Sequence, residues 1–247
     1  MKLAFVHFAK AGGTYVGNCL DRQVLEPQDY VNHRNPGRDY TEAQLLTIIK
    51  NANDKTFLHN HHFNWSSKAV EQANENGFLT FMFLRDPKDL LCSLYFWSKD
   101  LVEDGLIYRN LFPQDLIDLK PKDQVQSPFK ERQGYFDCVF NRHSLGLSLD
   151  EFVRTYIDES NIGCKKFWHL PEPTDQIQYV AKLNEQNLKD FFNDYLNLEY
   201  TPIDRQLNVS SNKGYEHYKQ TREISEDTDR LINNHPEYIK YKTYLNK

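Results

Sequence analysis

The sequence predicts an α/β protein, in which a central parallel sheet lies between helices in a three-layer arrangement. Two apolar runs, Leu3–Phe8 and Phe78–Leu84, contain no Lys, Arg, Asp or Glu, as expected for strands that are buried on both faces of a sheet. Residues with helical apolar spacing follow each run, and strand–helix alternation is typical of parallel sheets. At 247 residues the chain is long enough for a sizeable core, and no linker-like stretch divides it. We therefore expect one domain over residues 1–247.

Composition and charge argue against several classes of function. The net charge of −5 provides no general attraction to nucleic acid or to an anionic membrane, so we expect neither as a partner. Aromatic residues make up 14% of the chain, which favours a folded protein despite a mean hydropathy of −0.73. No CxxC pair is present, so the cysteines indicate neither a zinc site nor a disulfide framework. The chain enters its first strand without a charged leader, and no apolar run has membrane-spanning length, so we expect a cytoplasmic protein without a membrane span.

Helix and strand signals follow in order through the first half of the chain. After the first strand we expect a helix, a polar loop, a second helix and a second strand, over about residues 13–24, 26–39, 41–51 and 56–60. Thr41 and Gln44 form a capping-box pattern at the start of the second helix. Ser66 is a suitable N-cap for a third helix through Asn74, and Gly77 is placed to end that helix.

In the second half, a helix is predicted after Arg85, because Asp86 is a good N-cap and Pro87 a good first helical residue. Several prolines among mixed charges predict an irregular stretch, and we interpret about 111–170 as an insertion or lid. Ser148 and Glu151 form a second capping box that opens a helix. The remaining elements are a strand, an amphipathic helix, a polar loop and a charged helical tail, over about residues 177–183, 187–196, 208–215 and 225–247.

The turn after the first strand has the composition of an anion-binding turn. Gly12 and Gly13 allow the backbone to pass close to a ligand, and Thr14 is suited to open a helix whose first N–H groups point outward. Lys10 adds a positive charge, so the turn suits a phosphate or a sulfate. The Walker pattern GxxxxGK[ST] and the pattern GxGxxG are both absent, which argues against an ordinary ATPase or a Rossmann dehydrogenase. A strand, a glycine turn and a helix also recur in α/β folds for purely geometric reasons, and this turn alone leaves that alternative open.

Polar residues follow three of the predicted strands. Lys10 comes after the first strand, His59–His62 end the second, and Arg85 follows the strand Phe78–Leu84. Ligands of open α/β sheets bind outside the carboxyl ends of the strands. We therefore expect these three segments to converge on one edge of the sheet.

Three motifs resemble those of one enzyme family. The segment from His7 to Thr14 (HFAKAGGT) resembles the 5′-phosphosulfate loop of the PAPS-dependent sulfotransferases, commonly written HxPKTGGT. The segment from Leu84 to Tyr95 resembles the 3′-phosphate motif of that family, LRDPxxxxxSxY, with the same spacing. The segment His59–His61 is similar to the His-x-His that carries the general base in the uronyl 2-O-sulfotransferase-like branch. The likeness covers most of the chain but finds little to match between residues 111 and 166.

The sequence also departs from the family pattern in the first motif. Ala9 stands in place of the usual proline, and Ala11 replaces a threonine whose hydroxyl would help to bind the 5′-phosphate. Tyr15 occupies a position where a small hydroxyl residue is more usual. Lys10 and the two glycines of the motif are retained.

The resemblance implies a P-loop-NTPase-like sheet and the transfer of the sulfuryl group of PAPS to a hydroxyl of an acceptor, a sugar or glycan. The spent cofactor would be adenosine 3′,5′-bisphosphate, and the insertion at about 111–170 would lie on the acceptor side. His61 would be the general base with His59 as the reserve candidate, and Lys10 would stabilise the leaving oxygen. The residues implied in binding PAPS are Lys10, Ala11, Gly12, Gly13, Thr14, Tyr15, Arg85, Ser93, Lys213 and Gly214. No metal is implied.

Several alternatives stay open on the sequence. Arg85 and Asp86 also fit a surface ion pair at a helix start. A His-x-His at a strand end also occurs in metal sites, but here no carboxylate or cysteine accompanies it, so we expect none. Lys213 and Gly214 also fit a solvated turn. At the level of the whole protein, the alternatives are a nucleotide-dependent phosphotransferase and a sulfotransferase-like nucleotide-binding protein without turnover.

Overall fold

The computed structural model describes residues 1–8, 11–34, 40–103, 147–157, 170–203 and 224–245. Backbone packing divides the chain into two compact units. The first consists of Met1–Asp86, His169–Asn208 and Lys240–Lys247, and the second of Pro87–Trp168 and Val209–Ile239. The expectations of one domain over 1–247 and of an insertion at about 111–170 stay predictions, and most of that insertion lies outside the described residues.

The first unit is built on a five-stranded sheet in which all strands are parallel, with the order β2-β3-β1-β4-β5. The strands are β1 Lys2–His7, β2 Val31–Arg34, β3 Thr56–His61, β4 Phe78–Leu84 and β5 Tyr179–Lys182. Helices flank this sheet, so the predicted α/β class with a central parallel sheet is confirmed. Because β3, β1 and β4 are neighbours, the residues that follow them reach the same edge of the sheet.

The described helices alternate with the strands, as the sequence predicts. They are α1 Gly13–Leu20, α2 Glu42–Asn51, α3 Ser67–Glu75, α4 Pro87–Glu103, α5 Leu149–Ile157, α6 Glu185–Asp190, α7 Glu226–Asn234 and α8 Pro236–Leu245. Two of them continue into π-helical turns, at Asp21–Leu25 after α1 and at Phe191–Tyr195 after α6. Short 3₁₀ turns occupy His62–Asn64 and Glu172–Gln176. Among the described helices, none is both long enough and apolar enough to cross a membrane.

Three of the predicted helix caps, at Thr41, Ser66 and Ser148, are confirmed by side-chain hydrogen bonds, whereas the predicted cap at Asp86 stays a prediction. At the start of α2, the Thr41 hydroxyl accepts from the Gln44 N–H, and the Gln44 side chain accepts from the Thr41 N–H. The Ser66 hydroxyl accepts from the backbone of the first turn of α3. Ser148 and Glu151 form the same reciprocal pair before α5. These bonds satisfy N–H groups that have no carbonyl partner one turn earlier in the helix.

The two faces of the sheet pack against different helices. On one face, Phe5 of β1 stacks on Phe81 of β4, with ring centroids 5.0 Å apart, and both lie in a core with Phe191 and the inner side of α1. On the other face, Phe8 meets the edge of Tyr241 from α8. Burial of these large aromatic side chains from both sides explains why β1 and β4 read as unbroken apolar runs.

The structure corrects three sequence predictions. The polar loop expected over residues 26–39 contains the strand β2, which the sequence conceals because, among the described strands, β2 pairs only with β3 and because it carries polar side chains. The helix expected from residue 187 begins at Glu185, because Asn184 caps it. The helical tail expected from residue 225 is two helices, since the backbone leaves helical geometry at His235 before Pro236.

The second unit contains α4, α5 and α7. The ring of Tyr95 on α4 meets Phe152 on α5, and the Tyr95 hydroxyl donates to the Leu147 carbonyl at 3.1 Å. Lys88 in the first turn of α4 forms an ion pair with Asp229 on α7. These contacts hold the three helices of this unit together.

Candidate functional site

The candidate site lies at the carboxyl edge of the sheet, where β3, β1 and β4 end side by side. The turn after β1 leads into α1, the histidines end β3, and Arg85 follows β4. All of these segments belong to the first unit. The predicted convergence of the strand ends is therefore confirmed for the backbone.

Helix α1 begins at this edge without a side-chain cap. Its N-cap residue is Gly12, which has φ 69° and ψ 23°, a left-handed conformation that favours glycine. The N–H groups of the first turn, from Gly13 to Tyr15, have no carbonyl one turn earlier in the helix to accept them. They form the positive end of the helix dipole, and no acidic side chain lies in this turn. This geometry suits an anion.

At position 13, contact with His7 requires a glycine. A Cβ atom at this position would lie 1.8 Å from Nε2 of His7 and 2.2 Å from its Cδ2, which is far inside van der Waals contact. The helix start therefore lies directly against the His7 imidazole. Internal packing alone explains this glycine, so its presence is not by itself evidence of a ligand.

Three imidazoles form a connected group on the α1 side of the sheet. Nε2 of His59 and Nδ1 of His7 are 3.1 Å apart and share a hydrogen bond. The rings of His7 and His61 stack with centroids 4.4 Å apart and an interplanar angle of 27°. His7 and His61 are direct register partners on β1 and β3, which accounts for the stack. We call His7, His59 and His61 the imidazole group.

The fourth histidine of this edge, His62, lies apart from the imidazole group. His62 is only 1% exposed, and its ring stacks on Phe8 with the ring centroids 4.2 Å apart. Successive side chains of a strand point to opposite faces of the sheet, so His62 and Phe8 lie on the face opposite to His61 and His7. Its Nδ1 donates to the His7 carbonyl at 3.4 Å. His62 therefore has a packing role, whereas His59 and His61 are half-buried.

The chemistry of the imidazole group is that of proton acceptors and donors. In the part of the chain that the structure describes, no three His, Cys, Asp or Glu side chains are grouped so that they could hold a metal ion. The hydrogen bond between His7 and His59 joins two ring nitrogens, so one of them carries the hydrogen and the other accepts it. A partly exposed imidazole at the strand end is suited to accept a proton from a hydroxyl.

Ala11 and Tyr15 lie in the described part of the first motif. Ala11 is 2% exposed, and its N–H donates to the Phe8 carbonyl. The hydroxyls of Tyr15 and Tyr200 are 2.8 Å apart and share a hydrogen bond, beside the buried Cys19, whose thiol pKa is raised by burial. The Tyr15 side chain is thus engaged inside the first unit, and its backbone N–H is the group available to a ligand.

The remaining predicted residues are placed less completely. Lys10, Lys213 and Gly214 lie outside the described residues. Thr14 is the second residue of α1. Arg85 is half-buried after β4, and Ser93 lies in α4 of the second unit with 8% exposure. Their assignments to PAPS stay predictions.

His7 was not assigned a role from the sequence, although it opens the first motif. The signal available was its position at the end of β1, in the same alternation as the strand-end histidines of β3. Only the register of β1 on β3 brings its ring against His59 and His61.

Comparisons of this chain with protein-family models, with curated proteins and with solved structures find no significant match.

Proposed function

We propose that this protein is a PAPS-dependent sulfotransferase with a P-loop-like sheet, which transfers a sulfuryl group to a hydroxyl of a carbohydrate. One observation carries the proposal. The uncapped start of α1, the imidazole group and the residue Arg85 follow three neighbouring parallel strands at one edge of the sheet. The resemblance to the family assigns a base, an anion site and a cation to these three segments.

The start of α1 is the proposed site of the 5′-phosphate. The backbone N–H groups of Gly13 and Thr14 lie at the positive end of the helix dipole, and the left-handed Gly12 turns the chain into the helix. Lys10 would add a formal positive charge next to these donors. PAPS, when bound, supplies a sulfuryl group activated by its link to a phosphate.

His61 is the proposed general base. It is the last residue of β3, is half-buried and presents an imidazole at the carboxyl edge of the sheet. An imidazole is the side chain suited to remove a proton from an attacking hydroxyl near neutral pH. Lys10 would stabilise the charge that develops on the leaving oxygen.

Arg85 is the proposed partner of the 3′-phosphate. It directly follows β4, the neighbour of β1, so its backbone lies at the same edge as the start of α1. A guanidinium offers a fork of donors that matches the geometry of a phosphate. Recognition of the 3′-phosphate is what would distinguish PAPS from an ordinary nucleotide.

Isothermal titration calorimetry tests the choice of nucleotide. We expect adenosine 3′,5′-bisphosphate to bind at least about tenfold more tightly than adenosine 5′-monophosphate, because only the former offers a phosphate to Arg85. In the Arg85→Ala variant this preference should disappear. Equal affinity of the wild type for both nucleotides would contradict the proposal and favour a nucleotide-dependent phosphotransferase.

Turnover of labelled PAPS over a panel of carbohydrate acceptors tests the reaction. We expect His61→Ala to lower kcat by about 10²-fold or more, as for the loss of a general base. Lys10→Ala should lower kcat by about 10²-fold. The matched control is His235→Asn, outside the site, which retains an acceptor for the Glu237 N–H and should leave kcat unchanged. Binding of adenosine 3′,5′-bisphosphate without turnover of any acceptor would instead indicate a binding protein.

A further inference from the structure

We infer that His7 is a positioning residue for the proposed base, holding His59 through a hydrogen bond and His61 through a ring stack. The inference rests on the proposed function for its kinetic part. Its structural part, the coupling of three imidazoles, stands on the geometry of the sheet edge. The two interactions use different parts of the His7 side chain, a ring nitrogen and a ring face, so they can be removed one at a time.

The first interaction couples the tautomer of His59 to that of His7. Nε2 of His59 and Nδ1 of His7 are 3.1 Å apart, and one hydrogen occupies the space between them. Either His59 carries its hydrogen on Nε2 and donates to His7, or His7 carries its hydrogen on Nδ1 and donates to His59. The bond therefore couples the tautomer of one ring to that of the other.

The second interaction supports His61. Its ring lies over the face of His7, with centroids 4.4 Å apart and an interplanar angle of 27°. The stack therefore holds the His61 ring in one orientation. His61 has this support at the last residue of β3, whereas His59, two residues earlier in the strand, has its Nε2 engaged by His7.

The start of α1 also packs against the His7 ring. Gly13 leaves room for the ring, since a Cβ there would lie 1.8 Å from its Nε2. The His7 ring is therefore confined by α1 as well as by His59 and His61. The other titratable or charged described side chains of this edge include His59, His61 and His62 at the end of β3, Arg85 and Asp86 after β4 and Lys182 ending β5.

Two substitutions separate the two interactions. His7→Phe keeps a ring for the stack but has no atom to hydrogen-bond with His59. His7→Asn places an amide near the position of Nδ1 and keeps that bond but has no ring. Because His61 is the proposed base, His7→Asn should lower kcat by about tenfold and His7→Phe by about threefold or less, with KM for PAPS unchanged in both. Thermal melting of both variants checks that they fold.

Two kinetic results would overturn the inference about His7. If both variants retain the kcat of the wild type, His7 positions nothing. If His7→Phe is the slower variant, the bond to His59 matters more than the stack, and the assignment of His61 is wrong.

Nitrogen-15 NMR of the imidazoles gives a readout that does not depend on turnover. At a pH well above the ordinary imidazole pKa, we expect the balance of the two His59 tautomers in the wild type to differ from that in His7→Phe, where residue 7 has no atom that can bond to Nε2 of His59. An identical balance in the two proteins would overturn the coupling. If the wild type transfers no sulfate but the balance changes in His7→Phe, the proposed function fails and the coupling of the imidazoles is supported.

Discussion

Helices α1 and α7 begin in opposite ways. At α7 the Ser225 hydroxyl accepts from the Thr228 N–H, and three acidic residues, Glu226, Asp227 and Asp229, lie in the first turn. At α1 the N-cap position is the left-handed Gly12, no side chain caps the helix, and the first turn has no acidic residue. A hydroxyl and acidic side chains thus stabilise the positive end of α7. The positive end of α1 lies against the His7 imidazole instead.

The start of α7 therefore contributes to stability, whereas the start of α1 suits the binding of an anion. The cap of α7 is reinforced from α5, because the Asp150 carboxylate accepts from both the N–H and the hydroxyl of Ser225, at 3.0 Å and 2.6 Å. Substitutions there should change the free energy of unfolding. The start of α1 lies against His7, so substitutions there should also disturb the imidazole group.

The largest effect is expected for Gly13→Ala at the start of α1. The added methyl would collide with the His7 ring, which is held by His59 and His61, so we expect a loss of about 2–3 kcal/mol of unfolding free energy. The matched control is Gly77→Ala, at φ 76° with no atom within 4 Å of the added Cβ, where backbone strain alone should cost about 1 kcal/mol. Urea denaturation measures both values. Equal losses would mean that His7 moves aside freely.

Removal of the α7 cap should have the next largest effect. Ser225→Ala deletes the hydroxyl that accepts from Thr228 and donates to Asp150, and we expect it to lower the unfolding free energy by about 1–2 kcal/mol. Ser225→Thr retains a hydroxyl and should lose less than half of that amount. The same denaturation experiment decides the question, and indistinguishable losses in the two variants would argue against a capping role.

The stability contributed by Asp150 should depend on pH. Burial raises the pKa of this carboxyl, but hydrogen bonds from Ser225 and Thr228 and the charge of Arg154 outweigh burial and lower the pKa overall. The carboxylate therefore stabilises the folded protein above the ordinary Asp pKa of about 4, and this contribution is lost as the pH falls through the lowered folded value. Wild type should exceed Asp150→Asn in unfolding free energy near neutral pH, and the gap should narrow in acid. A gap that widens in acid would contradict the lowered pKa of Asp150.

The smallest effect is expected from a single charge in the first turn of α7. Glu226 is exposed and acts through the helix dipole, so Glu226→Gln should lower the unfolding free energy by about 0.3–0.5 kcal/mol at low salt. High salt should remove the difference, because exposed charges are screened. Denaturation curves at two salt concentrations measure it. A difference that persists in high salt would mean that Glu226 acts through a direct contact.

Local patterns predicted much of this fold. The strands β1 and β4 were predictable because their apolar runs reflect burial on both faces, and the caps Thr41 and Ser66 were predictable because their hydrogen bonds are local. The strand β2 was not, because its place at the sheet edge depends on its pairing with β3. The role of Asn184 was missed for a weaker reason, since a lone asparagine fits both a loop and a cap.

For the candidate site, the sequence by itself determined which chemical groups follow the strands: a glycine turn, a row of histidines and an arginine. These are properties of residue type and order along the chain. Only the tertiary structure decided that β1 lies between β3 and β4 and that His7 stands beside His61. Strand order and register arise from contacts between residues far apart in sequence, and no local pattern encodes the hydrogen bond between His59 and His7 or the approach of Gly13 to the His7 ring.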